Sequence, residues 1–111
     1  MINVDSRSFD MLVDGSKTHD ICTYIGDNKN LKDNDIVVVR DDKRWFTAIL
    51  TRVGYYRSLE SVFNTTNYRY FAPDAFSVNH AIMLYEEHRN FRHEELNGIV
   101  AFRVKRISEP Q

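Results

Sequence analysis

Three residues with chemical potential lie close together near the N-terminus, in a stretch that reads DGSKTHDIC from position 14. They are Gly15, Lys17 and Asp20. A desolvated lysine can act as a base or nucleophile, or contact an anion, and a neighbouring carboxylate can orient it or carry a proton. Two plainer interpretations stay open: Lys17 is exposed after a helix end, or it pairs with Asp20 to hold a loop.

The local pattern constrains how these side chains can meet. Gly15 fits the position just past a helix end, where a left-handed residue closes the last turn. A strand over Lys17 to Tyr24 would put Lys17 and Asp20 on opposite faces, because side chains alternate along a strand. We therefore expect the chain to bend or bulge near Lys17 if both residues line one pocket.

Length, composition and charge narrow the class of protein. A chain of 111 residues with 42% hydrophobic residues predicts one globular domain over residues 1–111. A net charge of -1 argues against a protein that coats nucleic acid by charge alone. Residues 40–57 nevertheless carry five basic residues against two aspartates, which indicates a local basic patch or a solvated strand face. Arg44 and Arg52 of this patch are the candidates for contacting phosphate.

Aromatic residues add a second kind of candidate. Tyr68 and Tyr70 flank Arg69 in a long loop rich in asparagine and tyrosine. Most aromatic side chains in a domain this small must fill its core. An exposed tyrosine beside arginines is also what stacking on a single-stranded base requires, so we predict base contacts for Tyr68 or Tyr70.

Neither a metal nor a cofactor is expected. His80 and His88 are eight residues apart on a predicted helix, which is too far for one ion. Cys22 is the only cysteine, so it predicts a small buried hydrophobe rather than a nucleophile, and no internal disulfide can form. The histidines and glutamates that we interpret as a solvated helix face are His80, Glu86, Glu87, His88, His93, Glu94 and Glu95.

Hydrophobic periodicity and turn residues predict an α+β fold, a small curled sheet or barrel with short helices over one opening. The last strand is expected to bury Val100, Phe102 and Val104 on one face. The predicted elements are a strand over Ile2–Asp5, a helix capped by Ser6 and running through Val13, strands over Lys17–Tyr24, Ile36–Val39 and Trp45–Tyr56 with an irregularity at Gly54, helices capped by Ser58 and Ser77, and a strand over Ile99–Ile107.

The order of these features resembles the ASCH domain, a branch of the PUA-like β-barrels, over nearly the whole chain. Each motif alone is weak, and their shared order carries the resemblance. The family usually reads GxKxxExR, whereas this chain has Asp20 for the glutamate and Cys22 for the arginine. The matching segments are GxKxxD at Gly15, Lys17 and Asp20; LKxNDIVV over Leu31–Val38; YxxSLExVF over Tyr55–Phe63; a helix ending in Tyr85; and GIVAFxV over Gly98–Val104.

The resemblance implies an RNA- or nucleotide-binding cleft between the barrel and its covering helices. Lys17 and Asp20 would lie at its floor, and Gly15 would be among its ligand-binding residues. Some small bacterial relatives are amidohydrolases that act on acylated cytidine with a lysine at this motif. Lys17 matches that lysine, while Asp20 stands where those enzymes have a threonine. Three hypotheses follow: an RNA or nucleotide binder, a hydrolase of acylated nucleosides with Lys17 and Asp20 as its catalytic residues, and a protein-interaction domain with an idle cleft.

The sequence also predicts where the protein works. It has neither a signal sequence nor a membrane span, so we expect a cytoplasmic protein, or a nuclear one in a eukaryotic host or virus. The short single domain suits a bacterial, phage or viral protein. RNA or a modified nucleoside is the expected partner, and the sequence does not indicate an oligomeric state.

Overall fold

The computed structural model describes residues 1–87 and 97–111. The described chain contains strands β1 to β5, helices α1 to α3 and two short 3-10 turns. In chain order these elements are β1 (Ile2–Asn3), α1 (Ser6–Asp14), β2 (His19–Thr23), a 3-10 turn (Gly26–Asn30), β3 (Ile36–Arg40), β4 (Trp45–Tyr56), α2 (Leu59–Thr65), a second 3-10 turn (Tyr68–Tyr70), α3 (Val78–Glu86) and β5 (Ile99–Arg106).

The strands form one curled sheet in the order β1-β3-β4-β5-β2, a nearly closed barrel. β1 pairs with β3 in parallel, and the other pairings are antiparallel. The predicted α+β class, a small curled barrel with short helices, is therefore confirmed. Because β1 and β2 are the two edges of the sheet, the barrel is open along the seam between them.

Two apolar clusters flank the sheet. The barrel interior holds Phe9 of α1 against Phe46, with Val100 and Phe102 of β5. The outer face of β2 and β5 packs under α2, α3 and the loop before α3, with Ile21, Ile99 and Ala101 contributed by the strands. Successive residues of β5 thus alternate between the two clusters, as the predicted inward face of Val100 and Phe102 requires.

Most local signals are confirmed. Gly15 ends α1 with φ 86°, and its N–H donates to the carbonyl of Met11. Ser58 and Ser77 cap α2 and α3 through their side chains. β4 runs over the predicted residues, and its register with β5 shifts between Thr51 and Gly54.

Two local predictions were wrong. The cap of α1 is Asp5 rather than Ser6, because the Asp5 carboxylate accepts the Ser8 N–H at 2.7 Å. β2 starts at His19 rather than Lys17, because the chain first turns back against α1. β3 lies between β1 and β4 in the nearly closed barrel, and its Ile36 is 68% exposed.

Within the described residues, no helix is both long and apolar enough to cross a membrane.

The turn before β5 generates the first testable prediction. Gly98 has φ 91°, and a Cβ there would lie 3.1 Å from the carbonyl oxygen of Tyr56. Gly98→Ala should lower the free energy of unfolding by about 2 kcal/mol, through backbone strain and this contact. Gly26→Ala is the matched control, since Gly26 also has positive φ but an added Cβ meets nothing within 4 Å. Equal losses in urea unfolding of the two variants would contradict the steric part of this account.

Candidate ligand-binding site

A cavity of about 530 Å³ lies along the open seam of the barrel. One wall is the N-terminal segment with β1, and the opposite wall is β2 from Asp20 to Thr23. α1 contributes Ser8 and Met11, and the C-terminal end of α3 contributes Leu84, Tyr85 and Glu87. The volume is in the usual range for small-molecule sites.

Lys17 lies at this cavity and is only 4% exposed. Its backbone N–H donates to the same Met11 carbonyl that accepts from Gly15, so the end of α1 folds Lys17 back under the helix. Its Nζ donates to Ser8 Oγ at 3.0 Å and lies 3.3 Å from Asp20 Oδ1. The expected bend near Lys17 is thus present, and it brings Lys17 and Asp20 together.

Asp20 is the anion of this pair and is 5% exposed. Its Oδ1 also accepts the Ile21 N–H at 2.8 Å and the Tyr85 hydroxyl at 2.9 Å. The Tyr85 ring lies under the ammonium, with Lys17 Nζ 5.2 Å from the ring centroid. Burial and the Asp20 charge raise the pKa of Tyr85 well above its usual value, so its hydroxyl stays a donor.

This ion pair is therefore held by four elements of the fold. α1 supplies Ser8, the turn after it supplies Lys17, β2 supplies Asp20, and α3 supplies Tyr85. Burying two charges is favourable only with good geometry and further hydrogen bonds, and both conditions are met here. The result is a preorganised polar floor in a cavity whose walls are partly apolar.

The charge of the lining limits the ligand. Among the described residues, four carboxylates and two cationic side chains face the cavity. One of the cations, Lys17, is already paired, and the other, Arg7, pairs with Asp74 at the cavity. An additional phosphate would meet a net negative surface, so the cavity suits a neutral or cationic polar group. The lining carboxylates are Asp5, Asp20, Asp74 and Glu87.

Arg44, which is predicted to contact phosphate, is held in ion pairs outside the lining of the seam cavity. Its guanidinium bridges Asp41 and Asp10 at 2.7 Å each and lies 4.4 Å from the Phe9 ring centroid. Asp41 also accepts two backbone N–H groups of the β3–β4 turn, which together with Arg44 lower its pKa to about 2. Arg44 thus ties this turn to α1, away from the seam cavity.

The other predicted ligand residues are also outside the cavity lining. Gly15 shapes the turn before Lys17 without lining the cavity. Tyr68 packs half-buried against the cluster under α2 and α3. Tyr70 stacks on His19 on the outer face of the sheet, across β2 from the cavity, and Arg52 is near enough to His19 for its charge to lower the pKa of that ring. The structure therefore brings together Lys17 and Asp20 and separates them from the arginines and tyrosines.

Sequence reasoning missed two partners of the ion pair. Ser8 and Tyr85 contact Lys17 and Asp20, yet both sit at ordinary helix positions in the sequence. The sequence places Tyr85 only at the end of a helix, and its hydroxyl alone distinguishes it from a core side chain. The seam between β1 and β2 decides that this hydroxyl meets Asp20, and no local pattern encodes that contact.

Cys22 lines the cavity as a half-buried residue packed against the barrel interior. Burial raises the pKa of its thiol to about 12, so the thiolate is scarce at neutral pH. No group of described residues has the arrangement needed to hold a metal ion. The metal candidates His88, His93, Glu94 and Glu95 lie outside the described residues.

His19 lies on the opposite face of β2 from Asp20. It is 7% exposed, stacked under the Tyr70 ring at 5.1 Å, and its Nδ1 is 2.8 Å from Thr18 Oγ1. Burial lowers its pKa to about 4, and the positive charges of Arg103 and Arg52 act in the same direction. His19 is therefore neutral at pH 7.

The ion pair predicts strong coupling between its partners. Lys17→Met leaves the Asp20 charge buried without its counter-ion, so we expect a loss of about 3 kcal/mol in the free energy of unfolding. Lys17→Met/Asp20→Asn removes both charges and should recover much of that loss. Urea unfolding of wild type, both single variants and the double variant measures the coupling; additivity within about 0.5 kcal/mol would contradict it.

The lowered pKa of His19 predicts a pH dependence of stability. Between pH 6.5 and about 4 the unfolded histidine binds a proton while the folded one does not, so stability falls as pH falls through this window. The loss should be about 2 kcal/mol after allowance for partial solvent access. In His19→Gln the difference in the free energy of unfolding between pH 7 and pH 4.5 should be smaller by that amount. An unchanged difference between the two pH values would contradict the assignment.

Comparison with known proteins supports the fold and gives no information on the chemistry of the cavity. No protein-family model and no curated protein matches the chain. It is similar to the crystal structure of the hypothetical protein PH0355, with a TM-score of 0.81, 16% identity and coverage of 96% of each chain. It is also similar to the NMR structure of protein PF0455 from Pyrococcus furiosus, with a TM-score of 0.70, 14% identity, and coverage of 97% of this chain and 96% of that one. These likenesses support the nearly closed barrel with short helices.

Proposed function

We propose that this protein is a PUA-like module of the ASCH type that binds a nucleoside, free or as part of RNA, in the seam cavity. The observation that carries the proposal is the buried pair of Lys17 and Asp20 at the cavity floor, fixed by Tyr85. These are the motif residues that the resemblance assigns to the ligand site.

The donors and acceptors of the cavity suit a base edge. An ammonium has three N–H donors, and among the described residues the side-chain oxygens that Lys17 meets are those of Ser8 and Asp20. A third donor can thus be offered to a carbonyl of the base.

The charge balance favours a nucleoside over a free nucleotide. Paired cations and surplus carboxylates make the cavity a poor phosphate site, as described above. A base with exocyclic amino groups would donate to these carboxylates. The phosphates of an RNA strand would therefore lie outside the cavity, beyond its mouth.

The hydrolase hypothesis gains less support from this geometry. Lys17 Nζ donates to Ser8 and faces a carboxylate, which is the arrangement of an ammonium rather than of a free base. Cys22 is no better as a nucleophile, given its raised pKa of about 12. Binding is thus the function that the contacts favour, and turnover is measured in the same experiment.

The test is a panel of unmodified and N-acylated nucleosides, with thermal shift and product formation recorded together. A nucleoside at 100 times its Kd should raise the melting temperature by several degrees, since binding then adds about 2.7 kcal/mol to stability. Lys17→Met/Asp20→Asn, which keeps side-chain volume and removes both charges, should weaken binding at least about tenfold through loss of charged hydrogen bonds.

Lys29→Gln is the control, because Lys29 is exposed in a 3-10 turn outside the cavity lining. Binding that is equal in wild type and the double variant would reject the cavity floor as the site. Product formation by wild type that is lost in the double variant would support the hydrolase hypothesis in place of the binding proposal. No response to any nucleoside would reject the proposal in favour of a protein partner.

A further inference from the structure

A second group of cationic and aromatic side chains lies on the outer face of the sheet. The strand register aligns His19 of β2, Arg103 of β5 and Thr51 of β4 in one row. Arg52 follows Thr51 within the irregular part of β4. Tyr70 covers His19 from above, with an angle of 18° between the rings.

The Tyr70 ring is held in place yet open to solvent. Its backbone carbonyl accepts the Thr18 N–H at 3.1 Å, which fixes the 3-10 turn to the start of β2. One face of the ring covers His19, and the side chain is still 49% exposed. The exposure therefore belongs to the other face and the edge, which leaves a stacking surface free.

The charges beside this ring are positive. Arg52, Arg103 and Lys105 are exposed, and no ion pair involving them is found among the described residues. Thr51 and Ile49, the β4 residues opposite Arg103 and Lys105, carry no charge. The nearby carboxylate is Asp33, whose Oδ1 accepts the Val53 N–H at 2.7 Å and so holds the backbone of the irregular segment.

The backbone conformation at Arg52 is a further indication that this arginine has a role at the outer surface. Arg52 has φ 52°, a left-handed conformation that a residue with a Cβ rarely adopts. Glycine would fit this position with less strain. An arginine kept at a strained position next to an exposed aromatic ring points to a role for its guanidinium at this surface.

The surface adjoins the seam cavity through β2 and the Tyr70–Phe71 segment. His19 and Tyr70 belong to the outer surface, and their chain neighbours Asp20 and Phe71 line the cavity. A nucleic-acid chain that leaves the cavity can therefore reach Tyr70 by passing the edge of β2. The cavity has surplus carboxylates and the outer surface has surplus cations, a division that matches a base and its phosphates.

From these observations we infer that the outer surface formed by Tyr70, Arg52, Arg103 and Lys105 binds the phosphodiester backbone of single-stranded RNA, with a neighbouring base stacked on Tyr70. The identity of the strand as RNA rests on the proposed function of the cavity. Arginine and lysine supply the phosphate contacts, and stacking on tyrosine tolerates any base.

The test uses a labelled single-stranded RNA of about six nucleotides, with anisotropy recorded over a salt series. Arg52→Gly/Arg103→Gln should weaken RNA binding at least about tenfold and lower the slope of log K against log salt by about 1 to 2. Its melting temperature should be unchanged or higher, because glycine relieves the backbone at position 52. Its affinity for a bound nucleoside should be unchanged, because neither arginine lines the cavity.

Controls separate charge from stacking. Lys29→Gln/Lys43→Gln removes two exposed cations away from this surface and should leave RNA affinity within about twofold. Tyr70→Leu should weaken RNA binding several-fold, and Tyr70→Phe should restore it, because stacking needs the ring and not the hydroxyl. RNA affinity equal to wild type in Arg52→Gly/Arg103→Gln, or equally reduced in the lysine control, would overturn the inference.

The two proposals fail separately. If nucleosides bind and RNA binds no more tightly than they do, the outer surface is rejected as an RNA site and the cavity is retained as the nucleoside site. If RNA binds through Arg52 and Arg103 and no nucleoside binds, the outer surface is retained as the RNA site and the cavity is rejected as a nucleoside site. Wild type that does not bind RNA would also overturn the inference. An acidic protein would then be the candidate partner of this surface.

Discussion

The buried ion pair of Lys17 and Asp20 is the constraint on which the rest of the site depends. Two charges removed from water need compensation from fixed partners, and those partners come from both ends of the chain. α1 must end at Gly15, β2 must start after a turn, and α3 must bring Tyr85 across the open edge. The ion pair thus links α1 and α3 to β2 at the open edge of the barrel.

β2 separates two chemical environments. One side of the strand faces a cavity with surplus carboxylates, and the other faces a row of cations around a stacked ring. His19 stays neutral between Tyr70 and two arginines, so it adds no repulsion to that surface. This difference between the two faces is the feature on which both the proposed nucleoside site and the inferred phosphate surface rest.

The sequence predicts the fold well because its signals are local. Gly15, Ser58 and Ser77 end or begin helices through contacts with near neighbours, and alternation along β5 sets its two faces. The site is predicted only in part. Lys17 and Asp20 are three residues apart, but Tyr85 meets them across 65 residues through the barrel seam. The pairing of Arg44 with Asp41 and Asp10 was not predictable, because the sequence alone does not distinguish a paired arginine from an unpaired one.

The most direct test of the central claim is an NMR titration of the backbone amides with the nucleoside that gives the largest thermal shift. We predict that the shifted resonances cluster at Asn3 and Val4 on the β1 side of the seam and at Asp20, Cys22 and Tyr85 on the other side. They should saturate with one nucleoside per chain. Shifts confined to other surfaces, or none at saturating concentration, would contradict a nucleoside site built on the buried ion pair.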